Sequence, residues 1–179
     1  GFGKTSHVAA WADRDGRPTA WLEVEALDND PQLLVERLIE LLCSVSDFDA
    51  GRVPRPPIST AQFETMIAPA IGSAVRRCTQ PFMLVLDELH RLESEVALSV
   101  VAAIAHDVPP GSTVVLIGRD SPGTSIAALR LRPGVADVGA VDLALDAAEA
   151  RRVLEEIGVS IGDDDLERLL EDKEGWALG

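Results

Sequence analysis

Hydrophobic positions recur along the chain with two different spacings. Leu34, Leu38, Leu41, Leu42 and Val45 lie three or four residues apart and fall on one face of a helix. Asp30 is placed to cap that helix, and Pro31 suits its first position. Phe63, Ile67, Ile71 and Val75 repeat every four residues, predicting a helix over 60–78 that Pro69 should kink. Further helices are predicted over 5–12, with Val8 and Trp11 facing a sheet, over 93–106 and over 125–132. Another runs from Asp146 through Leu154 and Ile157 to Gly158, with Asp146 and Glu149 set as a capping box. A last one starts at Asp163-Asp164-Asp165, where the acids match the positive end of the helix dipole.

Between these stretches the spacing changes. Residues 82–86, Phe-Met-Leu-Val-Leu, form a continuous apolar run, as does 113–118, Thr-Val-Val-Leu-Ile-Gly. The first suits a central parallel strand covered by helices on both faces, and the second reads as another apolar strand. Residues 19–24 have strand composition, and a further strand is predicted within 136–143. Helices alternating with such strands predict an α/β fold with a mostly parallel sheet. Residues 47–59, rich in Asp, Gly and Pro, read as a surface loop rather than a boundary between domains.

Composition narrows the possible partners. A net charge of −14 argues against this segment holding DNA or an anionic membrane through its overall field. No apolar stretch is long enough to span a bilayer, and no signal peptide is legible. Cys43 and Cys78 lack CxxC spacing and read as free thiols of a reducing cytosol.

The chemistry concentrates at the ends of these elements. Gly1-Phe2-Gly3-Lys4-Thr5, opening a helix, is the second half of a phosphate-binding loop. Glycines let backbone N–H groups approach a phosphate, and the helix N-terminus favours the anion. In this pattern Lys4 reaches the β- and γ-phosphates of a nucleotide and the Thr5 hydroxyl ligates Mg²⁺. The first glycine of the loop and its preceding strand are absent, so the chain reads as a fragment that starts inside its own motif. Alone, Gly-Lys-Thr is equally an ordinary glycine-rich turn before a helix. The apolar run at 82–86 ends in Asp87-Glu88, the residue types that hold Mg²⁺ and orient or deprotonate an attacking water. Alone, those two acids are a solvated strand end. Together with Gly3-Lys4-Thr5 they predict a P-loop nucleoside triphosphatase. Arg119, at the tip of the second apolar run, fits a γ-phosphate sensor or an ion pair with Asp120. His90 either caps the next helix or packs beside the site.

These stretches, taken in order, resemble the nucleotide-binding domain of the STAND class of signal-transduction ATPases. Within that class the likeness is to the large ATP-binding LuxR-type transcriptional regulators of the maltose-regulon-activator kind. It rests on Gly1 to Thr5, on Trp21-Leu22 with Leu27-Asp28-Asn29-Asp30-Pro31, on Leu84 to His90, on Arg119-Asp120 with Leu129 to Arg132 and Leu143, and on Glu174-Gly175-Trp176. The resemblance implies a three-layer α/β/α P-loop domain over 1–143, its first strand missing, and the start of a small helical lid over 144–179. Gly1, Phe2, Gly3, Lys4, Thr5 and Ser6 would bind nucleotide, Thr5 and Asp87 the Mg²⁺, and Glu88 with Arg119 would act on the γ-phosphate. The implied protein is a cytoplasmic switch with weak ATPase activity. It rests with ADP, exchanges it for ATP, self-associates, and reaches DNA through a C-terminal helix-turn-helix outside this chain. The same module could instead gate a cyclase or kinase, act as a stand-alone P-loop ATPase, or be a degenerate structural fold.

Overall fold

The structure is a computed structural model that describes residues 3–54, 63–119, 123–139, 141–143, 147–156, 158–159, 161–163, 165–166 and 168. The chain forms two compact units, Trp11–Val135 and Gly1–Ala10 with Ala136–Gly179. The fold is mixed α/β with parallel strands, as the apolar runs predict.

The larger unit holds the sheet. Strands β1 (Thr19–Glu23), β2 (Met83–Asp87) and β3 (Thr113–Leu116) pair in that order, all parallel. Register aligns Leu22, Leu86 and Leu116 across the three strands, so the C-terminal ends lie side by side. All five residues of β2 are buried, the expected signature of a central strand with both faces covered. The pairing continues past β3, where Ile117 N–H donates to the Leu86 carbonyl (2.9 Å) and Leu89 N–H donates to the Ile117 carbonyl (2.8 Å). The loop after β2 is therefore pinned to the end of β3.

Helix α2 (Pro31–Val45) packs against β1, burying Leu34, Val35, Leu38, Leu42 and Val45. The Asp30 side chain caps it by accepting from Gln32 N–H (2.9 Å), and Pro31 stands in its first turn. Before it, the Asp28 carboxylate is fully buried. It accepts from Arg37 Nη1 on both oxygens (2.6 Å each) and from Glu25 N–H (2.8 Å). Each fully buried Leu contributes about 1.5–3 kcal/mol through apolar area removed from water.

At Pro69, where a kink is predicted, the helix changes character. Phe63–Ile67 is a π-helical turn, and α3 (Ala68–Val75) begins just after it, with Pro69 in the first turn. Residues 60–62, the predicted start, lie outside those described. Helix α3 packs on α4 (Glu95–His106), which is capped by Ser94 rather than starting at Glu93. Helix α5 (Gly123–Leu129) packs on α4 in turn and ends before the predicted Arg132.

Helices α3 and α4 meet at Gly72. A Cβ there would lie 2.8 Å from Asp107 Oδ2 and 2.9 Å from the Ala103 carbonyl oxygen. Gly72→Ala in the full-length protein is therefore expected to cost about 1–3 kcal/mol by overpacking. The measurement is a lower urea midpoint at unchanged slope. An unchanged midpoint would show that the two helices separate freely.

Helix α1 (Lys4–Asp15) buries no residue, and Trp11 is 43% exposed. At its end, Arg17 pairs with Asp15 and donates to the Gly111 carbonyl (2.7 Å) and Thr113 Oγ1 (2.9 Å). This side-chain hydrogen bond from Arg17 holds the Asp15 carboxyl below its ordinary range.

In the smaller unit, α6 (Ala147–Glu156) ends where Gly158 turns with φ +79°, as predicted. Arg151 donates to the Ile161 carbonyl (3.1 Å) and pairs with Asp163. The strand predicted within 136–143 is not formed by its described residues. Residues 136–139 are exposed and irregular, and Val141–Leu143 is a 3₁₀ turn. Gly139 and two aspartates make this a poor strand sequence. The predicted cap at Asp146 lies outside the described residues. Among the described residues no helix is long and apolar enough to cross a membrane.

Candidate functional site

The C-terminal end of β2 carries the two adjacent acidic residues, Asp87 and Glu88, singled out in the sequence. Asp87 is the last residue of β2 and only 4% exposed. Its Oδ1 accepts from Glu88 N–H (2.8 Å), while its carbonyl accepts from Val24 N–H (2.9 Å). A carboxylate at the end of a buried parallel strand is where α/β sheets present ligand-binding groups.

Glu88 turns the chain sharply out of the strand. Its backbone is left-handed, with φ 57° and ψ 31°, the one positive φ outside glycine among the described residues. Such a conformation costs about 1–3 kcal/mol and concentrates at functional sites. Glu88 Oε2 lies 3.4 Å from Arg91 Nε and 3.5 Å from His90 Nε2. His90 sits in the 3₁₀ turn Leu89–Arg91 that follows, so it packs beside the site rather than capping α4. Its Nδ1 is buried with no hydrogen-bond partner.

Asn29, named above only as part of an acidic turn, and Arg91, which carries no role in the sequence reading, complete this end of the sheet. The Asn29 side chain uses every polar atom it has. Nδ2 donates to the Ala26 and Arg91 carbonyls (3.2 and 2.9 Å), and Oδ1 accepts from Glu93 N–H and Ser94 N–H (2.7 and 2.9 Å). Arg91 reaches the tip of β1, with Nη1 3.5 Å from the Val24 carbonyl and 3.8 Å from Glu23 Oε1. The three-residue step from Glu88 to Arg91 was a legible hint of a local pair, but partners more than 60 residues apart were not.

Arg119 follows β3 at the same end of the sheet as Asp87 and is exposed. Lys4, Thr5 and Ser6 open α1, whose first seven residues belong to the smaller unit. Gly3 precedes them with φ +67°, a left-handed backbone suited to glycine, and its carbonyl accepts from His7 N–H (2.9 Å). Gly1 and Phe2 lie outside the described residues. Among the described residues no cluster of three or more His, Cys, Asp or Glu is gathered for a metal. A Mg²⁺ held mainly by phosphates and water needs only one or two protein oxygens, and the Thr5 hydroxyl and Asp87 carboxylate are of that type.

The class defined by these features is an α/β protein whose central parallel strand delivers an Asp-Glu pair to the sheet edge. No protein-family model matches the chain. Along 99% of its length it is similar to curated proteins named HTH-type transcriptional regulator MalT. Identity is 24% over 185 residues with that of Yersinia enterocolitica, 27% over 182 with that of Serratia proteamaculans and 25% over 185 with that of Klebsiella pneumoniae. The chain spans 20% of the length of these relatives.

Proposed function

We propose that the chain is the ATP-binding and slowly hydrolysing switch module of a cytoplasmic LuxR-type transcriptional regulator. The observation that carries this reading is the Asp87-Glu88 pair, delivered by a fully buried central strand onto a strained left-handed residue. Gly3-Lys4-Thr5 at a helix start supports it, as does similarity to transcriptional regulators over nearly the whole chain.

In this reading Gly1, Phe2, Gly3 and Ser6 line the phosphate loop with backbone N–H groups, and Lys4 neutralises the β- and γ-phosphate oxygens. Thr5 and Asp87 hold Mg²⁺, which when bound supplies Lewis-acid stabilisation of the phosphates. Glu88 orients the attacking water and takes its proton, and Arg119 senses the γ-phosphate. Residues 1–143 form the nucleotide-binding domain and 144–179 begin a helical lid. The two nucleotide states differ in self-association, and DNA is contacted by a separate C-terminal domain.

The test is to purify the full-length protein and titrate it with ADP and with Mg-ATP, following mass by analytical ultracentrifugation. The expected result is micromolar binding of both nucleotides and a larger species with ATP. Absence of nucleotide binding would overturn the reading. Binding with the same mass in both states would remove self-association from it.

A further inference from the structure

Catalysis by a carboxylate base requires that the carboxylate be aimed. A misplacement of about 1 Å can cost on the order of 10²-fold in rate. Glu88 follows the last residue of β2, and its own backbone is strained, so neighbouring groups must set its side-chain direction. The Glu88 carboxylate lies beside two ionisable groups, with Oε2 3.4 Å from Arg91 Nε and 3.5 Å from His90 Nε2.

Arg91 is in turn fixed from two sides. Its guanidinium reaches the Val24 carbonyl and Glu23 at the tip of β1. Its own backbone carbonyl accepts from Asn29 Nδ2 at 2.9 Å, and Asn29 also holds Glu93 N–H and Ser94 N–H. The turn at Asp28–Asp30 thus grips the whole loop after β2. That turn is rigid because buried Asp28 is locked to Arg37 and Asp30 caps α2.

We propose that Arg91 is the positioning residue for Glu88 and that Asn29 acts through it. The proposal rests on the reading of Glu88 as general base. It assigns the acidic-amide turn a task in hydrolysis rather than in nucleotide binding, since every contact of Asn29 and Arg91 described above is with β1, the turn or the loop after β2. Arg91 and Asn29 need touch no nucleotide.

The experiment uses the full-length protein and Mg-ATP, measuring the equilibrium Kd and the turnover number at saturation separately. Arg91→Ala is expected to lower turnover at least tenfold with Kd changed less than twofold. Arg91→Lys, which keeps one charged donor, should recover part of that loss and also serves if the alanine variant fails to fold. Asn29→Ala should move turnover in the same direction by a smaller factor. In a Glu88→Gln background, Arg91→Ala should have no further effect on turnover. Wild-type turnover in Arg91→Ala, faster turnover, or an undiminished further loss in the Glu88→Gln background would each overturn the proposal. If Glu88→Gln itself turns over at the wild-type rate, the general-base reading fails and the proposal falls with it. If Glu88→Gln is slow while Arg91→Ala is normal, only the role of Arg91 falls.

Discussion

Lys4→Ala in the full-length protein is expected to remove measurable binding of Mg-ATP. Lys4 is the first residue of α1 and follows Gly3 in its left-handed conformation. In a phosphate loop the lysine ammonium donates charge-assisted hydrogen bonds to two phosphate groups, each worth about 1.5–3 kcal/mol. Losing both predicts a fall in affinity of at least about 10²-fold, because 1.4 kcal/mol corresponds to a factor of ten. Alanine is an excellent helix former, so α1 itself should persist. Isothermal titration with wild-type and variant proteins, with circular dichroism to check folding, makes the comparison. Equal affinity in the two proteins would remove Gly3-Lys4-Thr5 from nucleotide binding and leave an ordinary glycine turn before a helix.

Glu88→Gln is expected to keep Mg-ATP binding and to slow hydrolysis at least tenfold. Glutamine preserves side-chain length and keeps a polar oxygen beside Arg91, so the loop after β2 should hold its shape. It cannot accept a proton from water at neutral pH. Positioned general bases contribute about 10²–10⁴ in rate. Single-turnover hydrolysis with excess protein separates this step from nucleotide release. Equal single-turnover rates would exclude Glu88 from the chemistry. A parallel loss of affinity would instead mark it as part of the binding surface.

Much of the sheet was legible from the chain. Phe82 to Leu86 offered no polar alternation, and β2 is indeed buried throughout. The cap at Asp30 and the proline after it were read correctly, because capping is a local interaction between residues two or three apart. Failures came where the outcome depended on distant partners. Nothing in the local spacing marks Asp28 for burial, yet it is fully buried with Arg37, nine positions on, paired to it. Asn29 is held to Arg91, Glu93 and Ser94 across more than 60 residues, a distance that periodicity cannot see. The strand expected within 136–143 had apolar residues, but a strand forms only where a neighbour takes its backbone hydrogen bonds. For the candidate site, the residue types at the ends of β2 and β3 were readable, whereas the contacts of Asn29 and Arg91 around the loop that carries Glu88 were not.

With Glu88 as the proposed base, its left-handed backbone sets stability against activity at a single position. Glycine adopts that conformation without a Cβ penalty, and asparagine does so with less strain than most residues. Both would relax the turn after β2 while removing the carboxylate. Selection of thermostable variants by heat challenge alone would therefore drift toward a firmer protein with a silent nucleotide site. A library built on this scaffold has to be screened for turnover at the same time as melting temperature.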